Sequence, residues 1–120
     1  MHKWGLGRDS KCDFCDETDT IWHMFCECHH TVNWKEQIFQ KIQIGIPEHK
    51  DFMFGSMDLA LNAINSIIKF QIWYCRFHGK DWCLPSIVQE LKVQIQAEAN
   101  HLNNNAFDTK WENYISILEI

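Results

Sequence analysis

The spacing of four metal-ligand residues near the N-terminus constrains this chain more than any other feature. Cys12 and Cys15 are two residues apart, His23 follows after seven more and Cys28 after another four, giving C-x2-C-x7-H-x4-C. Two thiolates with this separation reach one ion from a single tight turn. An imidazole and a third thiolate then complete a tetrahedron, with metal–sulfur bonds near ~2.3 Å and metal–nitrogen bonds near ~2.0–2.1 Å. The pattern predicts one structural Zn2+ on Cys12, Cys15, His23 and Cys28, because four protein ligands leave no open position for water. Cys26, His29 and His30 lie close enough in sequence to be alternative ligands. Cys26 reads equally as a small buried apolar residue. Residues 20–28 predict a short helix that puts His23 and Cys28 on neighbouring turns of one face.

The ligand cluster sits on a chain of 120 residues, the size of one domain with a real core. Hydrophobic residues at 46% and aromatics at 13% exclude a disordered chain. Five Gly and two Pro are too few for an all-β chain built on tight turns. The formal charge of −5 argues against a general polyanion binder. Charge is uneven, however. Residues 1–30 hold three Lys/Arg against six Asp/Glu, residues 31–80 hold six against four, and residues 81–120 hold two against six. Three thiolates and a divalent ion bring the first segment to about −4, a surface that repels phosphate. Any polyanion contact is expected in the middle segment. No signal peptide is visible and no stretch is apolar enough to span a bilayer, so the expected setting is intracellular, nuclear or cytoplasmic, with no membrane partner.

Beyond residue 30 the periodicity predicts a small bundle of about four helices, so the fold class is mainly α: an N-terminal CCHC zinc knuckle (residues 1–30) leading into a helical bundle (31–120) packed with it as one domain. A hairpin at Cys12–Cys15 is the only sheet expected. The first helix covers about 31–44, with Trp34, Ile38 and Ile42 on one stripe and Gly45 and Pro47 ending it. A loop over 46–55 carries Phe52, Met53 and Phe54 onto the core. The second helix covers about 57–78, from Ser56 as N-cap to Gly79 as stop. Met57, Ala60, Leu61, Ile64, Ile67, Ile68, Ile72 and Cys75 share one of its faces; Leu59, Phe70, Trp73 and Phe77 share another, so both sides are expected to pack. A polar strip of Asn62, Asn65, Lys69, Arg76 and Lys80 runs between them, an ordinary solvated strip or a phosphate-contacting ridge. The third helix starts at Ser86, with Ser86 and Gln89 in capping-box form and a stripe of Ile87, Val88, Leu91, Ile95 and Leu102. Asn103–Asn105 break it. A last helix has Thr109 and Glu112 as its capping box, followed by Trp111, Tyr114, Ile115 and Leu118 at helical spacing.

The run Lys3-Trp4-Gly5-Leu6, the ligand set, Asp19-Thr20-Ile21-Trp22-His23-Met24-Phe25, Glu27-Cys28 and Trp34 resembles the C-terminal zinc knuckle of reverse transcriptases from non-LTR retrotransposons. Ile72-Trp73-Tyr74-Cys75-Arg76, Gly79-Lys80 and Asn103-Asn104-Asn105 are similar to the helical tail of long interspersed elements, so the resemblance covers nearly the whole chain. One departure is Asp16, where such knuckles often carry Gly after the second ligand. The resemblance implies a module that helps a polymerase hold template RNA or target DNA, and single-stranded recognition would suit the available aromatics.

No paired carboxylates for Mg2+, Gly-rich phosphate loop or nucleophile elbow is present, so the chain is not expected to be an enzyme by itself. Cys75 and Cys83 read as buried thiols rather than nucleophiles. If nucleic acid binds, Lys69, Arg76 and Lys80 are the expected phosphate contacts and Trp73 the stacking ring. The alternative is a stand-alone host module, started at Met1 from a truncated element, that binds or regulates a protein partner. A zinc-stapled domain without a selected function is the third reading.

Overall fold

Side-chain caps start two of the helices in the computed structural model, which describes Cys12, Cys15, Thr18 and residues 20–120. The run Lys3-Trp4-Gly5-Leu6, Asp16 and the interior of the expected hairpin at Cys12–Cys15 lie outside the described residues. A π-helical turn (His23–Glu27) leads into α1 (His29–Lys41), α2 (His49–Phe54), α3 (Leu59–His78), α4 (Leu84–His101), α5 (Asn104–Trp111) and a 3-10 turn (Ile115–Glu119). The described residues contain no strand, only a lone β-bridge at Thr18. The fold is mainly α, as the periodicity predicts. No helix among the described residues is long and apolar enough to cross a membrane.

Several boundaries differ from the sequence expectation, each for a local reason. Helix α1 begins at His29 because Cys28 is its N-cap, and it ends at Lys41, short of Gly45, because Gln43 turns the backbone left-handed at φ 61°. The expected 46–55 loop contains α2. Phe52 is buried there and Met53 half-buried, but Phe54 is 80% exposed and does not dock. Helix α3 is capped by Asp58, whose carboxylate accepts the Leu61 N–H at 3.0 Å; Ser56 is not its N-cap. Ser56 is instead clipped by Asn62, whose amide accepts its N–H and donates to its carbonyl, both at 2.8 Å. Met57 therefore falls outside the helix and is 98% exposed, not a core residue. Helix α4 starts at Leu84 with Pro85 in its first turn, where a missing N–H costs nothing, so Ser86 lies inside it and caps nothing. Cys83, the residue before it, is exposed rather than buried. The Asn run supplies a cap as well as a break: Asn103 Oδ1 accepts the Ala106 N–H at 2.7 Å and starts α5, which places Thr109 in mid-helix.

The core is one cluster. Ile38, Phe39 and Ile42 from α1, Phe52 from α2, Ala60, Ile64, Ile68 and Ile72 from α3, and Ile87, Val88, Leu91 and Ile95 from α4 meet Trp111 and Ile117. Met24 of the π-helical turn belongs to the same cluster, and Trp34 packs at its edge. Leu102, expected on the α4 stripe, caps the helix at the surface instead. The expectation that both faces of α3 pack holds in part: Ile64, Ile68 and Ile72 are fully buried, and Trp73 and Phe77 of the other face pack against the core, but Leu59 and Phe70 there are 65% and 55% exposed.

Polar bonds lock the C-terminal elements. The Glu98 carboxylate accepts hydrogen bonds from Lys110 Nζ at 2.7 Å, Trp111 Nε1 at 2.9 Å and Gln94 at 2.6 Å, tying α4 to α5. Burial raises its pKa, but the three donors outweigh this and hold it below the ordinary value. The Tyr114 hydroxyl donates to Asp58, and burial together with that carboxylate pushes the phenol up to about 12.

Ile68→Ala should lower the unfolding free energy by roughly 2–5 kcal/mol in urea titration, the cost of a fully buried isoleucine. A lowered folded pKa means that Glu98 contributes stability above its unfolded pKa and loses it as pH falls through the lowered value. The Trp111 indole N–H resonance should therefore shift on acidification below the ordinary carboxylate range, and Glu98→Gln should abolish that step.

Candidate metal centre

Thr20 begins the metal-binding segment. Its hydroxyl accepts the His23 N–H at 2.9 Å, and its carbonyl accepts the Met24 N–H at 2.9 Å. The next turn is wider than an α-helix: the Cys28 N–H bonds back to the His23 carbonyl at 2.8 Å, five residues earlier. In an α-helix a residue five positions on lies about 140° around the axis. The π-helical turn brings it nearly into line, and this is how the x4 spacing places His23 and Cys28 at one point.

The side chains of Cys12, Cys15, His23 and Cys28 each offer a ligand atom, and these atoms all lie within 4.8 Å of one another. Cys28 Sγ is 3.7 Å from Cys12 Sγ and 3.5 Å from Cys15 Sγ. These gaps are far too long for disulfides. They match the edge of a tetrahedron with bonds of ~2.3 Å, which is about 3.75 Å. Both ring nitrogens of His23 are buried without a hydrogen-bond partner, an arrangement that a ligand bond to one of them relieves. Nδ1 lies 3.9 Å from Glu27 Oε1, placing a carboxylate behind the imidazole. The four residues therefore fit one metal ion.

The cage also fits thiolates electrostatically. Burial raises the Cys28 pKa, but the Thr31 N–H, the Cys15 thiol, the His30 N–H and the Cys12 thiol outweigh it and bring it below its ordinary value. The His29 N–H donates to Cys15 Sγ at 3.3 Å. The first turn of α1 thus points its N–H groups, and the positive end of its dipole, at the sulfurs. Cys26, weighed as an alternative ligand, lies outside this group: it is buried, and burial raises its pKa, which keeps it a thiol. His29 and His30 are exposed and also lie outside it.

Two contacts dock the segment on the bundle. Lys35 is 3% exposed; its Nζ donates to the Phe25 carbonyl at 3.1 Å and sits 4.0 Å from the Phe52 ring centroid, joining the π-helical turn, α1 and α2. Burial lowers its pKa. Trp22 stacks on Phe54 at 6.5 Å and meets His49 edge-on at 5.7 Å.

The expected phosphate ridge is not one free line. Lys69 is half-buried against α2, and its Nζ donates to the Met53 carbonyl at 3.3 Å. Arg76 is half-buried, and Lys80 is exposed but lies beyond the helix, which ends at His78 with Gly79 left-handed at φ 62°. Trp73 is half-buried among rings rather than isolated. It neighbours Phe70, Phe77 and His78, while Tyr74 bridges Phe70 at 5.9 Å and His78 at 4.8 Å. The i, i+4 spacing of Phe70, Tyr74 and His78 carries that signal in the sequence. A second aromatic feature joins elements far apart in sequence: Trp34 and Trp82 stack at 5.1 Å with planes 5° apart. They line a cavity of about 480 Å³ with His30 and Lys80.

The purified chain should carry one metal equivalent by elemental analysis. The Cys12→Ser, Cys15→Ser double variant should lose it, and Cys26→Ser should keep it; full occupancy in the double variant would refute the assignment.

Comparison with protein-family models, with curated proteins and with solved structures gives no match for this chain.

Proposed function

We propose that the chain is a zinc-stabilised, non-catalytic module that binds RNA or another single strand, as the resemblance to the C-terminal segment of non-LTR retrotransposon reverse transcriptases implies. In this reading residues 1–30 are the knuckle and residues 31–120 the bundle packed with it. Zn2+ is the ion that three thiolates and one imidazole suit best. Bound there, it would neutralise thiolate charge and cross-link Cys12 and Cys15 to the start of α1.

One observation carries the nucleic-acid reading. The ring array on α3 and the Trp34–Trp82 stack both reach the C-terminal end of α3, where Lys80 lines the tryptophan cavity and Arg76 stands one turn before it. Aromatic faces beside cations are what sequence-tolerant single-strand binding uses. With only two or three cations, affinity should be modest and the salt slope shallow, about −1.4 to −2 for a single strand. A different observation favours the protein-partner alternative: Met57, Leu59 and Phe54 are largely exposed, and Met57 and Leu59 border a groove of about 950 Å³ with Leu102 and Ala106.

A salt titration against single-stranded RNA separates the two. The nucleic-acid reading expects log affinity to fall linearly with log salt, and the triple change of Lys69, Arg76 and Lys80 to Gln to weaken binding and flatten the slope. Because Lys69 is held by Met53, most of the effect should come from the exposed Lys80. No binding near physiological salt would leave the protein-partner reading.

A further inference from the structure

Three large apolar side chains that the core leaves unused meet at one place. Met57 and Leu59, at the start of α3, are 98% and 65% exposed, and Leu102, at the end of α4, is 36% exposed. With Ala106 of α5 they line an open groove of about 950 Å³. Exposed leucines scattered singly need no explanation, but several gathered in one concave surface mark a docking site.

The polar groups around the groove are already engaged. Asp58 accepts the Leu61 N–H and the Tyr114 hydroxyl. Glu98 holds Lys110, Trp111 and Gln94, and Asn103 caps α5. These bonds tie α3, α4 and α5 together, so the walls are pre-formed and little ordering is needed on binding. What they leave open is apolar surface.

Charge selects the occupant. Lys110 in the lining is paired with Glu98 at 2.7 Å. Asp58 has no such cation: its partner Tyr114 is a phenol with its pKa pushed up to about 12, neutral at ordinary pH, so the carboxylate charge stands. Exposed Asp108 and Glu112 follow the lining residues Asn105 and Thr109 by three positions each, on the same side of the chain. The whole of residues 81–120 holds two Lys/Arg against six Asp/Glu. Such a rim attracts a cationic partner and repels phosphate. Backbone chemistry narrows the choice further. The described residues contain no strand, so an extended peptide finds no sheet edge here to pair with. A helix satisfies its own backbone and lays an apolar face into a groove.

We propose that this groove docks a basic amphipathic helix of a protein partner, with the helix's apolar stripe on Met57, Leu59 and Leu102 and its lysines or arginines toward Asp58, Asp108 and Glu112. The unbranched thioether of Met57 adapts to the side chains it meets. The groove lies at the N-terminal end of the 20-residue α3, and the cation-bearing aromatic surface lies at the other end. The inference therefore goes beyond the nucleic-acid reading and does not depend on it.

The test uses the full, metal-loaded chain with labelled methionine methyl groups. Three synthetic peptides of about four helical turns are titrated into it: a leucine–lysine amphipathic helix, its counterpart with glutamate for lysine, and the leucine–lysine composition scrambled so that no apolar stripe remains. The first should move the Met57 methyl resonance in a saturable way, bind at least tenfold more tightly than the other two, and weaken as salt rises. Met57→Gln combined with Leu59→Gln changes two exposed side chains and should leave the helical dichroism unchanged. It should weaken binding of the first peptide at least tenfold. A Met57 methyl that does not move, a scrambled or acidic peptide that binds as tightly, or a double variant that binds like the parent overturns the proposal. A Met57 methyl that moves with protein concentration alone makes a second copy of the chain the occupant and overturns it too. The RNA salt titration reads the other end of α3, so this inference and the proposed function fail separately.

Discussion

Cys28 is where the metal cage and the helical core become one object. It offers a sulfur to the ion site and occupies the N-cap of α1, so the backbone that positions the ligand also starts the helix. The N–H groups of residues 29–31 face the Cys15 and Cys28 sulfurs, so thiolate charge and helix dipole favour each other. Helix α1 then carries Ile38, Phe39 and Ile42 into the core, while Met24 enters it from the π-helical turn on the other side of Cys28. The ion site is therefore wired to the packing of the bundle through a short stretch of backbone. Lys35 adds a second tie, its buried ammonium shared between the Phe25 carbonyl and the Phe52 ring.

In the proposed reading an ion with four protein ligands would have no open face for chemistry, and the knuckle would be a structural device that aims α1. Helix α1 carries Trp34, and Trp34 builds the stack with Trp82 next to Lys80. In the proposed reading the acidic first segment and the cation-bearing end of α3 have separate roles, one holding geometry and the other presenting surface.

The metal cage was legible in the sequence because ligand spacing is a short-range property. C-x2-C and H-x4-C each close within about one turn, so few backbone paths satisfy them. The core face of α3 was legible for a related reason: Ile64, Ile68 and Ile72 repeat at helical spacing. What the sequence hid were consequences of which neighbour covers which residue. The six residues of α2 are too few to show a period, and reading them as loop left Lys69 looking solvated, when its ammonium bonds the Met53 carbonyl of α2. The same omission made Ser56, rather than Asp58, the apparent cap. The two capping boxes misled because a Ser or Thr three residues before a Gln or Glu also occurs inside helices, as Ser86 and Thr109 do. The Trp34–Trp82 stack joins residues forty-eight apart and has no local signature. The α3 rings did have one, but i, i+4 aromatics read equally as a buried face.

The central claim is that one ion is held by three cysteine sulfurs and one histidine nitrogen, with the fourth nearby sulfur, on Cys26, left out. X-ray absorption at the metal edge of the purified chain tests it most directly. The predicted first shell is three sulfurs near ~2.3 Å and one nitrogen near ~2.0–2.1 Å, with the outer-shell scattering of a single imidazole. A four-sulfur shell would put Cys26 in place of His23, and a shell rich in light atoms would mean that the cage is not the site; either result contradicts the claim.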